Sequence, residues 1–177
     1  DDNDAAIKAY NDALALFKAV GDRLGEANTL QAIGDLHQSK KELDAAIKAY
    51  NDALALFKAV GDRLGEANTL KAFGQLYHAE KKFDKARANF EAAIAGHAAI
   101  RDRYSVAVDL YYFSFTQESL GQVEAAIKSV ELALQTCLQL NLPWTEMAVS
   151  RLFDLKKMPE TDFQNYLAGL AQQWGLP

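Results

Sequence analysis

Apolar residues recur along this chain at the spacing of α-helices. In the first stretch they form one stripe, with lysine and asparagine residues on the opposite face. The stripe comprises Ala6, Tyr10, Ala13, Phe17 and Val20. Gly21 then supplies a left-handed helix stop, and Asp22 can cap the next helix. The same pattern predicts helices near 4–20, 23–39, 43–60, 63–79, 83–100, 103–119, 123–140, 144–156 and 160–174.

The chain repeats itself with a period of 40 residues. The segment from Asp4 to Leu30 returns without a change at Asp44 to Leu70, and the same offset aligns Asp84 to Val123 with more differences. Between the first two copies, every difference falls between positions 31 and 43. Such periodicity predicts an array of stacked helical units. A recent duplication or an engineered insertion would each explain the identical copies.

The residues at fixed places in each unit resemble the tetratricopeptide repeat. The signature is a large apolar residue, an apolar–Gly pair, an aromatic, and a small–aromatic–small set in the following helix. The first repeat has Leu30, Ile33, Gly34, His37, Ala46, Tyr50 and Ala53. The second repeat has Leu70, Phe73, Gly74, Tyr77, Ala86, Phe90 and Ala93. The third repeat has Leu110, Phe113, Ser114, Gln117, Ala126, Val130 and Ala133, and so keeps the small residues of the second helix but lacks the glycine and the aromatics.

This resemblance implies an all-α fold, a tetratricopeptide-repeat solenoid in which antiparallel helix pairs form a right-handed superhelix. The period exceeds the usual 34 residues and resembles the long variety of the Pins/LGN adaptors, kinesin light chains and bacterial repeat proteins. We expect one solenoid over 1–177. We call the first helix of each repeat pair first-type and the second helix second-type. The solenoid would contain an unpaired second-type helix at 4–20, pairs at 23–60, 63–100 and 103–140, and divergent capping helices at 144–175.

The resemblance also assigns ligand contacts to the first helix of each pair. The predicted groove residues are Asn28, Gln31 and Asp35, then Asn68, Lys71, Gln75 and His78, then Tyr111, Tyr112 and Phe115, and finally Arg151. Amides can bond a peptide backbone and aromatic rings can hold an apolar anchor. The alternative is that the amides are merely solvated and the aromatics pack against the C-terminal helices.

A carboxylate clamp of the chaperone-binding kind is not expected. Lys71 matches the first lysine of that clamp, but Gln75 stands where asparagine is needed. Val108 and Tyr112 occupy positions that would need polar or basic groups.

Composition and charge restrict the remaining function classes. The net charge of −5 gives no reason to expect a nucleic acid or an anionic membrane as partner, and no apolar run approaches the ~20 residues of a membrane span. The single cysteine, Cys137, fits the reducing cytoplasm. His97 and Cys137 align with core aromatics, so we expect them to pack rather than react. His37 replaces a structural aromatic. We predict no catalytic residue, metal site or cofactor.

The sequence therefore predicts a non-enzymatic module that binds a peptide or helix of a partner protein in the concave groove. The alternative is a self-assembling or engineered scaffold in which helices stack between chains. The unpaired helix at 4–20 favours this second interpretation, because its core-facing residues either stay open or pack against another molecule, as in a homo-oligomer.

Overall fold

The computed structural model describes residues 2–176, and this part of the chain contains nine α-helices and no strand. The helices are α1 Asp2–Val20, α2 Arg23–Ser39, α3 Leu43–Val60, α4 Arg63–Ala79, α5 Phe83–Ala99, α6 Arg103–Ser119, α7 Val123–Leu140, α8 Thr145–Lys156 and α9 Glu160–Gln173. The predicted all-α repeat fold is confirmed, and each helix end lies within two residues of its predicted position. The outermost positions of the predicted solenoid, 1 and 177, lie outside the described residues.

Local chemistry sets the helix boundaries. Before α2, α4 and α6 an aspartate carboxylate accepts the backbone N–H three residues further on, at 2.9 to 3.1 Å. The pairs are Asp22 with Gly25, Asp62 with Gly65, and Asp102 with Ser105. Gly21 and Gly61, with φ of 74° and 75°, take the left-handed conformation that ends the preceding helix. The predicted stop and cap are therefore both present.

The helices fall into two compact units. The first contains α1 to α5 and ends at Arg101, and in it α2 packs chiefly on α3 and α4 on α5. The second begins at Asp102 and contains α6 to α9, with α7 packed on both α6 and α8. Its core is continuous and includes Leu134, Leu152 and Phe163. The right-handed sense of the superhelix, and the single solenoid over 1–177, stay predictions.

The predicted role of the glycines is visible in the close packing of helix pairs. A β-carbon built on Gly34 would lie 2.5 Å from the ring of Tyr50, and one built on Gly74 would lie 2.9 Å from the ring of Phe90. These distances are shorter than carbon–carbon contact, so each aromatic ring occupies the space that a side chain would need. In both pairs, therefore, the aromatic ring can take this position only because the facing residue is glycine.

The duplicated sequence offers an internal comparison of helix packing. From Asp4 to Val20, α1 has the sequence of α3 from Asp44 to Val60. Tyr50 is fully buried, whereas its counterpart Tyr10 is 39% exposed. The difference arises because α3 packs extensively on both α2 and α4, whereas the extensive contacts of α1 within residues 2–176 are with α2. Neighbouring helices, rather than the local sequence, decide the burial.

We predict that the same substitution has different costs in the two copies. Tyr50→Ala should lower the free energy of unfolding by about 3–5 kcal/mol, the usual range for emptying a buried aromatic site. Tyr10→Ala should lower it by roughly 1 kcal/mol, since its ring is already partly hydrated. Urea unfolding followed by far-UV circular dichroism measures both values. Equal losses would contradict the difference in packing.

Candidate functional site

The first unit has an open polar cavity between α2 and α4. Its volume is about 290 Å³, and it contains four of the predicted groove residues. The lining comprises Asn28, Gln31, Ala32, Asp35, Asp62, Leu64, Gly65 and Asn68. Two rows of residues that are distant in the sequence thus meet, as the repeat pattern implies. The cavity offers three amides and two carboxylates to a ligand.

The other three predicted residues of this unit lie further along α4, outside the cavity lining. The Lys71 ammonium is 3.5 Å from the Asn68 side-chain oxygen. Gln75 is half-buried, and the half-buried His78 ring lies 5.5 Å from the ring of Phe83. The structure therefore brings Lys71 close to the cavity, whereas His78 borders the connection to α5.

Hydrogen bonds between α3 and α2 hold Asp35, one of the residues that line this cavity. The hydroxyl of the buried Tyr50 donates to Asp35 at 2.7 Å and lies equally close to the Gln38 side-chain oxygen. Partial withdrawal from water raises the pKa of the Asp35 carboxyl, although the Tyr50 hydrogen bond and the Lys71 charge oppose this shift. Burial and the Asp35 carboxylate raise the pKa of Tyr50. The Tyr50 hydrogen bond therefore orients the Asp35 carboxylate, which remains exposed at the cavity.

The sequence did not reveal the contribution of Tyr50 to this site. The repeat pattern assigned it to the core, where its ring indeed lies. The available signal was the choice of tyrosine over phenylalanine, since a buried phenol needs a hydrogen-bond partner. Asp35 and Gln38, one helical turn apart on the preceding helix, supply that partner.

The second unit has two adjoining cavities with an aromatic wall. The larger, of about 340 Å³, is lined by Tyr111, Phe115, Glu146, Met147, Ser150, Arg151 and Asp154. The smaller, of about 180 Å³, is lined by Tyr104, Val108, Tyr111, Tyr112, Trp144 and Met147. Tyr111 and Met147 line both cavities. Together the two cavities form a site between α6 and α8, and Trp144 just before α8 also contributes to it.

Tyr111 lies at the centre of an aromatic cluster. Its ring centre is 5.5 Å from those of Tyr112 and Phe115 and 5.9 Å from that of Trp144, in edge-to-face geometry. The aromatics therefore do pack against the C-terminal segment, as the alternative interpretation held. Tyr112 and Met147 nevertheless remain exposed, so apolar surface is still available.

Arg151 lines the larger cavity, but its guanidinium is used within the protein. The residue is only 7% exposed, and it donates to Ser114 and, at 2.8 Å, to the Glu118 carboxylate. Its guanidinium carbon lies 3.8 Å from the centre of the Phe115 ring. Arg151 thus fixes Phe115 and Glu118, a role that the sequence alignment did not indicate.

Carboxylates outnumber free cationic groups in both sites. Asp35 and Asp62 line the cavity of the first unit. Glu146 and Asp154 line the larger cavity of the second, where the guanidinium of Arg151 is paired with Glu118. These cavities therefore favour a cationic ligand group over an anionic one.

His97 and Cys137 lie in the cores of different units. Both are fully buried, and burial raises the pKa of the Cys137 thiol to about 11. His37 is on the surface of the first unit, where its Nδ1 atom is 2.6 Å from the Glu42 carboxylate. In the part of the chain that the structure describes, no three His, Cys, Asp or Glu side chains converge as metal ligands. The described helices also include none long and apolar enough to cross a membrane.

Comparisons with known proteins agree with this architecture. A family model described as a tetratricopeptide repeat matches residues 1–59 and 33–99. No curated protein matches the sequence. The solved structure of BtubC (BKLC) from P. vanneervenii is similar with a TM-score of 0.79 and 16% sequence identity, over 96% of this chain and 72% of that one. At this identity the similarity extends to the fold alone.

We expect Arg151 to contribute to stability. Arg151→Ala should lower the free energy of unfolding by about 2–4 kcal/mol, because it empties a buried site and leaves Ser114 and Glu118 without their partner. Arg103→Ala, which alters an exposed arginine of the same unit, should change it by less than about 0.5 kcal/mol. Chemical denaturation compares the two variants, and similar values would contradict a structural role for Arg151.

Cys137 should be unreactive in the folded protein. At pH 8 a thiol with a pKa of about 11 has roughly 200-fold less thiolate than an ordinary thiol with a pKa near 8.5, and burial slows access further. We expect a chromogenic disulfide reagent to label Cys137 at a measurable rate only after denaturant is added. Rapid labelling of the native protein would show instead an accessible, activated thiol.

Proposed function

The chain belongs to the tetratricopeptide-repeat family, whose members are generally protein-interaction modules, and we propose that it is a non-enzymatic module that binds a peptide segment of a partner protein. The observation that carries this proposal is the position of the cavities. Predicted groove residues of α2 and α4 line one open cavity of the first unit, and Tyr111 and Phe115 of α6 line a cavity of the second unit together with Arg151 of α8. The single buried thiol supports a location in the cytoplasm.

The cavity of the first unit suits a peptide backbone. Asn28, Gln31 and Asn68 each offer a donor and an acceptor, which matches the alternating N–H and C=O groups of an extended chain. Because Asp35 is fixed by Tyr50, it can accept an N–H bond without first losing side-chain freedom.

The site of the second unit suits an apolar side chain beside a basic one. Tyr112 and Met147 offer exposed apolar surface next to the half-buried Tyr111. Glu146 and Asp154, across the larger cavity, favour a lysine or arginine near this anchor. We therefore propose a ligand that contains an aromatic or aliphatic residue flanked by basic residues.

Selection from a library of peptides from disordered protein regions tests this function. We expect enriched peptides to carry an apolar anchor and a basic residue. Asn68→Ala and Tyr112→Ala should each weaken binding by about 5- to 30-fold, as expected for moderate contact residues. Tyr112 is chosen because its exposed ring can be removed with little effect on folding.

Two control variants show whether the loss of binding is specific. Asn51→Ala and Leu132→Ala remove exposed side chains of second-type helices, and neither residue lines a cavity described above. Both should bind as the unaltered protein does. Absence of enrichment, or equal weakening by all four variants, would exclude the cavities as a peptide site and leave the self-assembling scaffold as the better interpretation.

A further inference from the structure

The smaller cavity of the second unit corresponds in the repeat to the polar cavity of the first unit. Two periods of 40 residues separate the equivalent positions of the two linings. At these positions Asn28, Gln31, Ala32 and Leu64 are replaced by Val108, Tyr111, Tyr112 and Trp144. The repeat fold therefore does not require aromatic residues here, since the first unit builds the same helices with amides, alanine and leucine.

Aromatic side chains border this cavity of about 180 Å³ on several sides. We call its lining the aromatic cage, and it comprises Tyr104, Val108, Tyr111, Tyr112, Trp144 and Met147. The ring planes of Tyr112 and Trp144 are inclined to that of Tyr111 by 79° and 63°. Rings at such angles form separate walls rather than a parallel stack. Tyr104 and Tyr112 are 49% and 40% exposed, so a ligand can reach them from solvent.

Negative charge surrounds the aromatic cage. Glu146 and Asp154 line the adjoining larger cavity, which shares Tyr111 with the cage. Burial raises the pKa of Tyr111, and the charge of Asp154 adds to this rise although Arg151 opposes it. The guanidinium of Arg151 is itself balanced by its ion pair with Glu118. A cation in the cage would therefore meet aromatic rings and nearby carboxylates together.

We propose that the aromatic cage binds a methylated lysine side chain of the partner peptide, with the trimethylammonium group between the rings. This inference rests on the proposed function, because it names the group with which the peptide enters the site. The faces of aromatic rings carry negative potential, and several of them together attract quaternary ammonium groups. A trimethylated lysine unites the apolar anchor and the positive charge in one side chain.

An unmodified lysine fits the cage less well. Its ammonium group has three N–H donors and is strongly hydrated, whereas the carboxylates lie in the adjoining cavity rather than in the cage. Methylation keeps the charge, removes the donors and adds apolar surface. The size also agrees, because a cavity of roughly 150 Å³ holds benzene, which is similar in size to a trimethylammonium group.

Titration with blocked amino acids tests the cage without a partner peptide. The probes are the acetylated methylamides of trimethyl-lysine and of lysine. Proton nuclear magnetic resonance should show a saturable upfield shift of the N-methyl signal, because ring currents shield groups that lie over aromatic faces. The unmodified lysine derivative should bind at least about 3-fold more weakly.

A neutral analogue separates charge from shape. Choline should bind saturably, whereas its uncharged analogue, in which a tert-butyl group replaces the trimethylammonium group, should bind at least about 3-fold more weakly. Glu146→Gln should reduce the affinity for choline and leave that for the neutral analogue unchanged, since only the cation is attracted by the carboxylate.

Variants that restore residues of the earlier repeats locate the binding. Tyr104→Leu and Tyr112→Ala introduce the residues that stand at Leu64 and Ala72, so the repeat fold should accept them. Each should weaken binding of the trimethyl-lysine derivative by about 3- to 10-fold. Tyr10→Leu, the same kind of change at a similarly exposed tyrosine of the first unit, should leave binding unaltered.

Two peptide libraries identify the source of the methylated group. One has a fixed central trimethyl-lysine and the other has lysine at that position, with the flanking residues randomised in both. We expect enrichment from the first library well above the second, and Tyr104→Leu should remove the difference. The best trimethyl-lysine peptides should bind at least about 10-fold more tightly than choline, because flanking residues add contacts.

Several outcomes would overturn the inference. These are the absence of a saturable shift, equal binding of choline and its neutral analogue, and unchanged binding by the two tyrosine variants. Peptide enrichment that is indifferent to methylation would also overturn it, yet would leave the proposed function in place. Choline bound as tightly as any peptide would assign the cage to a free small molecule, and absence of enrichment from every library would count against the proposed function as well.

Discussion

The structure of the first unit depends on the contact between a glycine of one helix and an aromatic ring of the next. Gly34 with Tyr50 and Gly74 with Phe90 come closer than any side chain would allow. Each contact fixes the position along the helix axes at which the two helices pack, because the ring fits only in the space over the glycine. Ala53 and Ala93, three residues beyond the two rings, are fully buried in the same helix pairs. In the second unit Ser114 replaces the glycine, and Arg151 bonds it from α8.

The fold could be predicted from the sequence because its determinants are local. Caps, left-handed glycines and apolar stripes each act within a few residues, and the repeat supplied them several times. The pairing of Asn28 with Asn68 across one cavity was also predictable, since a constant period implies a constant neighbour. The role of Arg151 could not be predicted in this way. Arg151 lies in α8, which departs from the repeat pattern, and its partners in α6 are 33 and 37 residues away in the sequence. The burial of an arginine depends on the carboxylate and the aromatic ring that surround it, and the 40-residue repeat does not predict these surroundings.

The identity of residues 4–30 and 44–70 has a consequence for folding. Two segments of this chain have the same affinity for either side of α2, so composition alone cannot tell α1 from α3 during collapse. The correct assignment must come from chain connectivity, through the two-residue link at Gly21 and Asp22 and the longer link from Lys40 to Glu42. Exchange of the two helices would violate these links and also the two-residue link at Gly61 and Asp62 that joins α3 to α4. The short connections therefore keep the identical copies in register.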